Sequence, residues 1–348
     1  MAKFPKDFRW KVVRPSLGEG KQGLVSVVED QSGEYEGHFA LKRLRSDATH
    51  ASYERFGREV DALKAIDHPA IVKVLDHSAP NANFAYYVME LVPNAKPIKK
   101  LFVSPAANPF YGNAVATLSF LEQLLDALRA CAEKSIVHRD LSPSNVLISS
   151  DSKVHLIDFG LCVVDDPLSS HSLTGDAGAG TQNYMAPECE AGAVGNATSA
   201  SDLYSAGKLV WSVLTGRSVF AREAPAFTTH SMVKMFGDLK ELWHFHRIFE
   251  KTIRKERADR WTDHAVAIEA VRNLRWVIQS GYPPLEIASQ TCFNCGSHSI
   301  QQNGRGWTIF HNPLPNDYEA YTCGKCGITF VRDYTATRKE LARRRELN

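Results

Sequence analysis

The chain has 348 residues, 44% of them hydrophobic and 23% charged, which suits one large domain with a smaller one, or two ordinary domains. Its 41 Lys and Arg nearly balance 39 Asp and Glu, which argues against a protein that binds polyanions over its whole surface. Because no apolar run approaches the about 18 residues of a membrane span, and no signal peptide is apparent, we expect a cytoplasmic protein without a membrane partner.

The first hundred residues predict a strand-rich region with one helix. Residues 10–45 alternate apolar and polar positions around glycines, as antiparallel strands joined by turns do. Residues 51–66 switch to helical spacing, and the segments 71–77 and 83–92 again have strand composition.

The next part of the chain is predicted to be mostly helical to about residue 280. A helix is expected from Leu118 to Glu133, and the segments 203–216 and 265–280 show the clearest helical periodicity after it. Two prolines among small polar residues predict a linker over 279–290.

The segment LGEGKQGLV places Gly18, Gly20 and Gly23 between two predicted strands. Glycines at this spacing allow backbone N–H groups to approach phosphate oxygens. By itself the segment fits a glycine-bearing hairpin turn equally well. A dinucleotide-binding fold would need a helix after the third glycine, and VSVVED does not predict one.

Further motifs follow the glycines in a fixed order. Lys42 lies in a predicted strand, and Glu59 lies on the next helix, with Glu54 as a rival partner for the lysine. HRDLSPSN, DFG, APE and DLYSAG come next. Together these motifs resemble the protein kinases, specifically the bacterial relatives of eukaryotic-type serine/threonine kinases, over about residues 8–278.

The resemblance implies an α+β, bilobal protein kinase-like fold, with an N-lobe over about residues 8–92 and a C-lobe over about 93–278. It also implies ATP and Mg²⁺ as cofactors. Catalysis would rest on Asp140, which receives or orients the substrate hydroxyl proton, Lys42, which holds phosphates, and Asn145 and Asp158, which hold magnesium.

The same resemblance implies an adenine pocket with Met89 as the gatekeeper at its back. The expected ATP-binding residues are Leu17, Gly18, Gly20, Gly23, Val25, Ala40, Lys42, Glu59, Met89, Glu90 and Val92. Structural support is expected from Asp202, below the catalytic loop, and from a Glu188–Arg260 ion pair.

Between DFG and APE the chain is rich in Gly, Ser, Thr and Asp, which is typical of a mobile loop. The motif GTQNYMAPE resembles the substrate-docking segment of serine/threonine kinases, so a protein substrate is expected. Arg139 resembles the arginine of kinases whose loop is ordered by phosphorylation, so we expect autophosphorylation within 165–181, with self-association as one route. The candidate residues are Ser169, Ser170, Ser172, Thr174 and Thr181, and ordinary loop hydroxyls are the alternative.

Ser142 departs from the family pattern, because most serine/threonine kinases carry a lysine at this position. The missing charge would have faced the γ-phosphate. A nucleotide-binding pseudokinase scaffold is therefore the alternative function. Pseudokinases usually lack a residue that corresponds to Lys42, Asp140, Asn145 or Asp158, however, and this chain has all four.

CFNCG and CGKCG form two CxxCG units near the C-terminus. Two such turns can supply four thiolates to one Zn²⁺, and the intervening segments have strand composition, so residues 291–333 resemble a zinc ribbon. The expected ligands are Cys292, Cys295, Cys323 and Cys326. A pair of redox CxxC motifs or free thiols is the alternative, although a thioredoxin-like redox site would require a helix and a βαβ setting.

Residues 334–348 predict a basic C-terminal helix. We expect this helix to be solvated, and binding of nucleic acid is the less favoured alternative. In the ribbon, Trp307 and Phe310 are expected to fill the small core rather than stack on bases. Three hypotheses follow: an active kinase with a recruiting or regulatory ribbon, a pseudokinase scaffold, and a kinase regulated by nucleic acid through the ribbon.

Overall fold

The structure is a computed structural model of the chain. It describes residues 4–279 except 6, 20–22, 46, 80–81, 83, 165–181, 193–196, 222–231 and 237–238, and it describes five strands between residues 300 and 333. The predicted linker beyond residue 279 and the predicted C-terminal helix lie outside the described residues.

A five-stranded antiparallel sheet forms the first lobe, in the order β1-β2-β3-β5-β4. Its strands are β1 Trp10–Glu19, β2 Gly23–Asp30, β3 Phe39–Leu44, β4 Val74–His77 and β5 Tyr86–Glu90. Side chains alternate along β5, so Val88 lies on the outer face of the sheet, where it packs with Trp10, and Tyr87 lies on the inner face. The predicted strand-rich lobe is confirmed.

The helix of this lobe, α1 His50–Ala65, packs on the inner face of the sheet. The Thr49 side chain caps it by accepting a hydrogen bond from the Ser52 N–H at 3.3 Å. Phe56, Val60 and Leu63 recur at helical spacing and are all buried.

The strand predicted over 71–77 is shorter than expected. β4 begins at Val74, because Ile71 instead forms an isolated bridge to Leu156 of the second lobe. The Leu156 N–H donates to the Ala70 carbonyl at 2.7 Å, which explains why apolar residues before β4 are buried outside the sheet.

Helices dominate the second lobe, as predicted. They are α2 Ala114–Glu133, α3 Ser199–Thr215, α4 Met232–Met235, α5 Phe245–Thr252 and α6 His264–Gln279. α2 begins four residues before the predicted start at Leu118, because Asn113 caps it by accepting from the Ala116 N–H at 3.1 Å. α3 is buried almost throughout, and a Cβ on Gly207 would lie 2.1 Å from the Thr252 hydroxyl, so this glycine permits the close approach of α5.

Short strands and 3₁₀ turns position the loops of this lobe. The strands are β6 Lys96–Pro97, β7 Ile136–Val137, β8 Val146–Ile148, β9 Val154–Leu156 and β10 Val163–Val164. The 3₁₀ turns are Ile98–Val103, Pro105–Ala107, Pro187–Gly192, Lys240–His244 and Arg257–Asp259. HRDLSPSN therefore lies between β7 and β8, and DFG lies between β9 and β10.

The C-terminal strands are β11 Ile300–Asn303, β12 Thr308–Ile309, β13 Asn312–Pro313, β14 Tyr318–Cys323 and β15 Thr329–Asp333. β11, β14 and β15 form an antiparallel sheet in that order, and β12 pairs with β13. Strands were predicted at 307–310, 318–322 and 328–333, and strands occur in all three segments. Among the described residues, no helix combines the length and apolarity needed to cross a bilayer.

Candidate active site

Lys42 lies on β3 and points between the sheet and α1. Its Nζ donates to both Glu59 carboxylate oxygens, at 2.6 and 2.8 Å, and the pair is almost entirely buried. The rival Glu54 is exposed and lies beside His50 at 3.5 Å, so the structure pairs Lys42 with Glu59. Burial acts to lower the pKa of Lys42, but the Glu59 carboxylate outweighs it and holds that pKa well above its ordinary value.

Tyr87 is a member of this cluster that the sequence motifs did not single out. Its hydroxyl donates to Glu59 Oε1 at 2.9 Å, and its side chain is 1% exposed. Tyr87 stands opposite Lys42 in the β3–β5 pairing. The alternation of β5 was the available signal, because it places a polar tyrosine on an inward-facing position.

Asp158 begins the DFG motif and reaches the same lysine across the two lobes. Lys42 Nζ lies 3.1 Å from Asp158 Oδ1. Partial burial acts to raise the pKa of Asp158, but the Lys42 ammonium holds it below its ordinary value, so the carboxylate stays ionised. Its backbone φ of 65° is in the left-handed region, an unusual conformation for a residue other than glycine.

Asp140 and Asn145 are joined within the loop between β7 and β8. Asn145 Nδ2 donates to the Asp140 carbonyl at 2.8 Å and to Asp140 Oδ2 at 2.9 Å. Both donations use the amide nitrogen, which leaves the amide oxygen of Asn145 as the ligand it can offer to a cation.

Asp202 anchors this loop from α3. Its two carboxylate oxygens accept the backbone N–H groups of His138 at 2.8 Å and Arg139 at 2.9 Å. Burial raises the pKa of Asp202 to about 6, although the two N–H groups favour its ionised form. The bonds hold Arg139 at a φ of 66°, in the left-handed region, directly before Asp140.

His138 connects this loop to the DFG motif. Its imidazole is fully buried, lies 4.6 Å from the Phe159 ring between centroids, and has Nε2 3.3 Å from the Ile157 carbonyl. Burial lowers the pKa of His138 to about 4, so the ring is neutral near pH 7.

Ser142 is part of the turn that carries Asn145. It is 4% exposed, and its carbonyl accepts the Asn145 N–H at 3.0 Å. The unusual residue of the motif therefore lies in a closed turn rather than on an exposed edge.

The glycine segment is described only in part, because Gly20 lies outside the described residues. β1 continues through Gly18, which pairs with Val25, and Leu17 is 42% exposed. A Cβ on Gly23 would lie 2.4 Å from the Arg43 carbonyl, so the approach of β3 to β2 requires glycine at this position. Strand packing thus requires glycine at position 23, independently of any approach to phosphate.

The segment predicted to contact adenine consists of the end of β5 and the residues directly after it. Met89 is partly buried and pairs with Ala40 of β3, which brings these two expected contacts together. The Glu90 N–H donates to the Lys73 carbonyl at 3.0 Å, and the Val92 carbonyl accepts the Ala95 N–H at 3.4 Å.

The expected ion pair between Glu188 and Arg260 has two parallel hydrogen bonds. Nη1 and Nη2 of Arg260 lie 2.7 and 2.8 Å from the two Glu188 oxygens, and the arginine side chain is fully buried. Arg260 also donates to the carbonyls of Arg254, Lys255 and Ala200. Partial burial acts to raise the pKa of Glu188, but the bond from Arg260 holds it below its ordinary value.

Several predicted site residues are outside the described part of the chain. These are Ser169, Ser170, Ser172, Thr174, Thr181, Cys292, Cys295 and Cys326. Cys323 is the last residue of β14. Elsewhere in the described part, no group of three or more His, Cys, Asp and Glu side chains is placed to hold a metal ion.

Comparison with known proteins agrees with this geometry. Residues 12–271 match the protein kinase domain family, so the chain belongs to that family. It is 38% identical over 226 residues to serine/threonine-protein kinase pkn2 of Myxococcus xanthus, an alignment covering 63% of this chain and 26% of the relative. It is 32% identical over 219 residues to serine/threonine-protein kinase PrkC of Bacillus subtilis, covering 62% of this chain and 32% of the relative.

A solved structure shows the same fold. The crystal structure of the Mycobacterium tuberculosis PknI kinase domain superimposes with a TM-score of 0.57 at 23% identity, covering 76% of this chain and 96% of that one. The bacterial relatives are much longer than the aligned region, which spans only 26% and 32% of their lengths. The predicted protein kinase fold and family are therefore confirmed.

Proposed function

We propose that the chain is an ATP- and Mg²⁺-dependent serine/threonine protein kinase that transfers the γ-phosphate of ATP to protein hydroxyls. The observation that carries this proposal is the contact of Lys42 with both Glu59 and Asp158. It joins Lys42 of one lobe, which would bind the phosphates, to Asp158 of the other lobe, which would bind the metal ion. Phosphoryl transfer depends on such positioning and charge neutralisation more than on covalent chemistry.

The residues present fit a magnesium nucleotide. Asp158 offers an ionised carboxylate and Asn145 an amide oxygen, and Mg²⁺ is commonly held by one or two such ligands together with substrate phosphates. Bound Mg²⁺ would neutralise charge that develops on the phosphates. Lys42, kept charged by Glu59, would hold the α- and β-phosphates as its Asp158 contact is exchanged for the nucleotide.

Asp140 would orient the attacking hydroxyl and receive its proton. The bonds from Asn145 fix its carboxylate, and Asp202 fixes the backbone immediately before it. This support from two elements is the preorganisation that proton transfer in a transition state requires. It also favours active catalysis over a pseudokinase scaffold, even with Ser142 in the loop.

Two arginines support control by a phosphate on the loop after DFG. Arg58 Nη2, on α1, and Arg139 Nε are buried, and neither atom has a hydrogen-bond partner among the described residues. Burial raises the pKa of the nearby Cys162 thiol to about 12. The guanidinium groups of Arg58 and Arg139 both act in the opposite direction and lower that pKa. Two cations close enough to Cys162, just after DFG, to act on its thiol suit an acceptor with two negative charges nearby.

We expect wild-type protein incubated with ATP and Mg²⁺ to gain phosphate within residues 165–181 and to become more active toward a protein substrate. Arg58→Gln should still gain the phosphate but lose most of the activation, about tenfold, because charge-assisted hydrogen bonds to the phosphate are removed. Arg129→Gln, an exposed arginine paired with Asp126, is the control and should behave as wild type. Peptide mass spectrometry and rate measurements test both statements, and activation that survives in Arg58→Gln would contradict the role of that arginine.

The C-terminal module is proposed to be a zinc ribbon that recruits substrate or regulates the kinase domain. Support comes from the CxxC spacing and from β14, which ends at Cys323 and pairs with β11 and β15. The thiolates would hold Zn²⁺ at about 2.3 Å and supply the stability that a segment this small lacks.

The purified protein, with residues 1–348, should contain about one zinc ion per chain, as one four-cysteine site requires. Cys292→Ser should lose the metal while ATP binding persists. Cys189→Ala, which removes a buried lone thiol of the second lobe, should keep the metal. Elemental analysis of the three proteins decides the matter, and equal zinc content in all of them would exclude this ligand set.

A further inference from the structure

The hydroxyl of Tyr87 makes a contact that the catalytic roles above do not use. It donates to Glu59 Oε1, the same oxygen that receives the shorter bond from Lys42, and the three side chains are almost completely enclosed. The Tyr87 ring lies 5.2 Å from the Phe56 ring, between centroids. Tyr87 therefore holds α1 at two positions on one helical face, through its ring at Phe56 and through its hydroxyl at Glu59.

The effect of the Tyr87–Glu59 hydrogen bond depends on the protonation states of these two side chains. Burial acts to raise the pKa of Tyr87, and the Glu59 carboxylate adds to the effect, so the phenol remains a neutral hydrogen-bond donor. The pKa of Glu59 also lies above its ordinary value, because burial outweighs the stabilisation provided by Lys42 and Tyr87. Glu59 can hold Lys42 as an ion pair only while it is ionised, so donors to its carboxylate have a functional consequence.

We propose that Tyr87 is a positioning residue, whose hydroxyl holds the Glu59 carboxylate directed at Lys42 and whose ring packs on Phe56, so that it couples the position of α1 to phosphate binding. The inference deepens the proposed kinase function and rests on it. The charged and titratable groups that act on Glu59 are Lys42 on β3, Tyr87 on β5, Asp158 after β9 and Cys162 before β10. Lys42 and Tyr87 favour the carboxylate, whereas Asp158 opposes it.

Tyr87→Phe removes the hydroxyl and keeps the ring that packs on Phe56. Tyr86→Phe is the matched control, because Tyr86 is the next residue on the same strand and its hydroxyl donates to Asp76 at 3.2 Å, on the other face of the sheet. We expect kcat/KM for ATP to fall by about tenfold in Tyr87→Phe, as loss of a hydrogen bond to a charged group predicts, and to change little in Tyr86→Phe.

The pH dependence separates positioning from general damage. Without the Tyr87 hydroxyl the pKa of Glu59 rises further, so the acidic limb of the kcat/KM profile should move to higher pH. The difference between variant and wild type should be largest at low pH and should shrink once Glu59 is ionised in both proteins. In a Glu59→Gln background, the Tyr87→Phe substitution should have little further effect.

Binding of Mg²⁺–ATP, measured by calorimetry across the same pH range, provides a readout that does not require phosphate transfer. It should be weakened in Tyr87→Phe, most strongly at low pH, even if the wild-type protein transfers no phosphate. A wild-type protein that binds the nucleotide without transferring phosphate would overturn the kinase proposal but not the role of Tyr87. Identical binding profiles for Tyr87→Phe and Tyr86→Phe, or full additivity with Glu59→Gln, would overturn the positioning role.

Discussion

Asp140→Asn should lower phosphate transfer by about a hundredfold or more, the usual contribution of a positioned general base, while leaving ATP binding intact. Asparagine has nearly the shape of aspartate but cannot accept the proton of the substrate hydroxyl. The backbone of the loop should hold its position, because Asp202 binds His138 and Arg139 through main-chain N–H groups that the substitution does not touch.

The measurement compares transfer of labelled phosphate with nucleotide affinity in the same preparations. Asp151→Asn serves as the matched control, because it makes the same chemical change at an exposed carboxylate in the turn after β8. Equal transfer by wild type and Asp140→Asn would assign the base to another residue. Parallel loss of affinity and transfer would indicate structural damage instead.

Arg260→Met should destabilise the protein by about 3 to 5 kcal/mol, which is the usual result of removing one partner of a buried ion pair. The substitution leaves Glu188, whose side chain is only 12% exposed, with Ser201 as its remaining side-chain donor in the described structure. It also removes the donors to three backbone carbonyls. Urea unfolding monitored in the second lobe measures the change.

Arg272→Met is the matched control for this loss of stability, because it removes an exposed ion pair instead of a buried one. Arg272 also pairs with a glutamate, Glu122, at 2.6 Å, but its side chain is 55% exposed, so the loss should stay below about 1 kcal/mol. Changing Glu188 and Arg260 together to methionine should recover part of the stability, because no buried charge is then left alone. A small loss in Arg260→Met would mean that water reaches Glu188.

The two lobes and the loops that carry the motifs could be predicted from the sequence, because both depend on local patterns. Strand alternation and helical spacing identify β2, β3 and α2, and HRDLSPSN and DFG place Asp140 and Asp158 in loops. The pairing of Lys42 with Glu59 rather than Glu54 depends on where α1 packs against the sheet, which the spacing alone did not decide.

Long-range contacts account for what the sequence did not predict. The start of β4 is set by the bridge of Ile71 to Leu156, more than 80 residues away in the chain. The need for glycine at position 23 comes from the approach of the Arg43 carbonyl on a neighbouring strand. The bond of Tyr87 to Glu59 forms only when β5, β3 and α1 come together, and no motif marks Tyr87 in advance.

We propose that the Lys42–Glu59–Asp158 cluster and the Asp140 loop together form a working phosphotransfer site. The most direct test of this claim is incubation of wild-type protein with γ-labelled ATP and Mg²⁺, followed by identification of the labelled amino acids. We predict label on serine or threonine, in the protein itself or in a basic protein substrate. A protein that binds ATP yet places no more label on hydroxyls than Asp140→Asn does would contradict the claim.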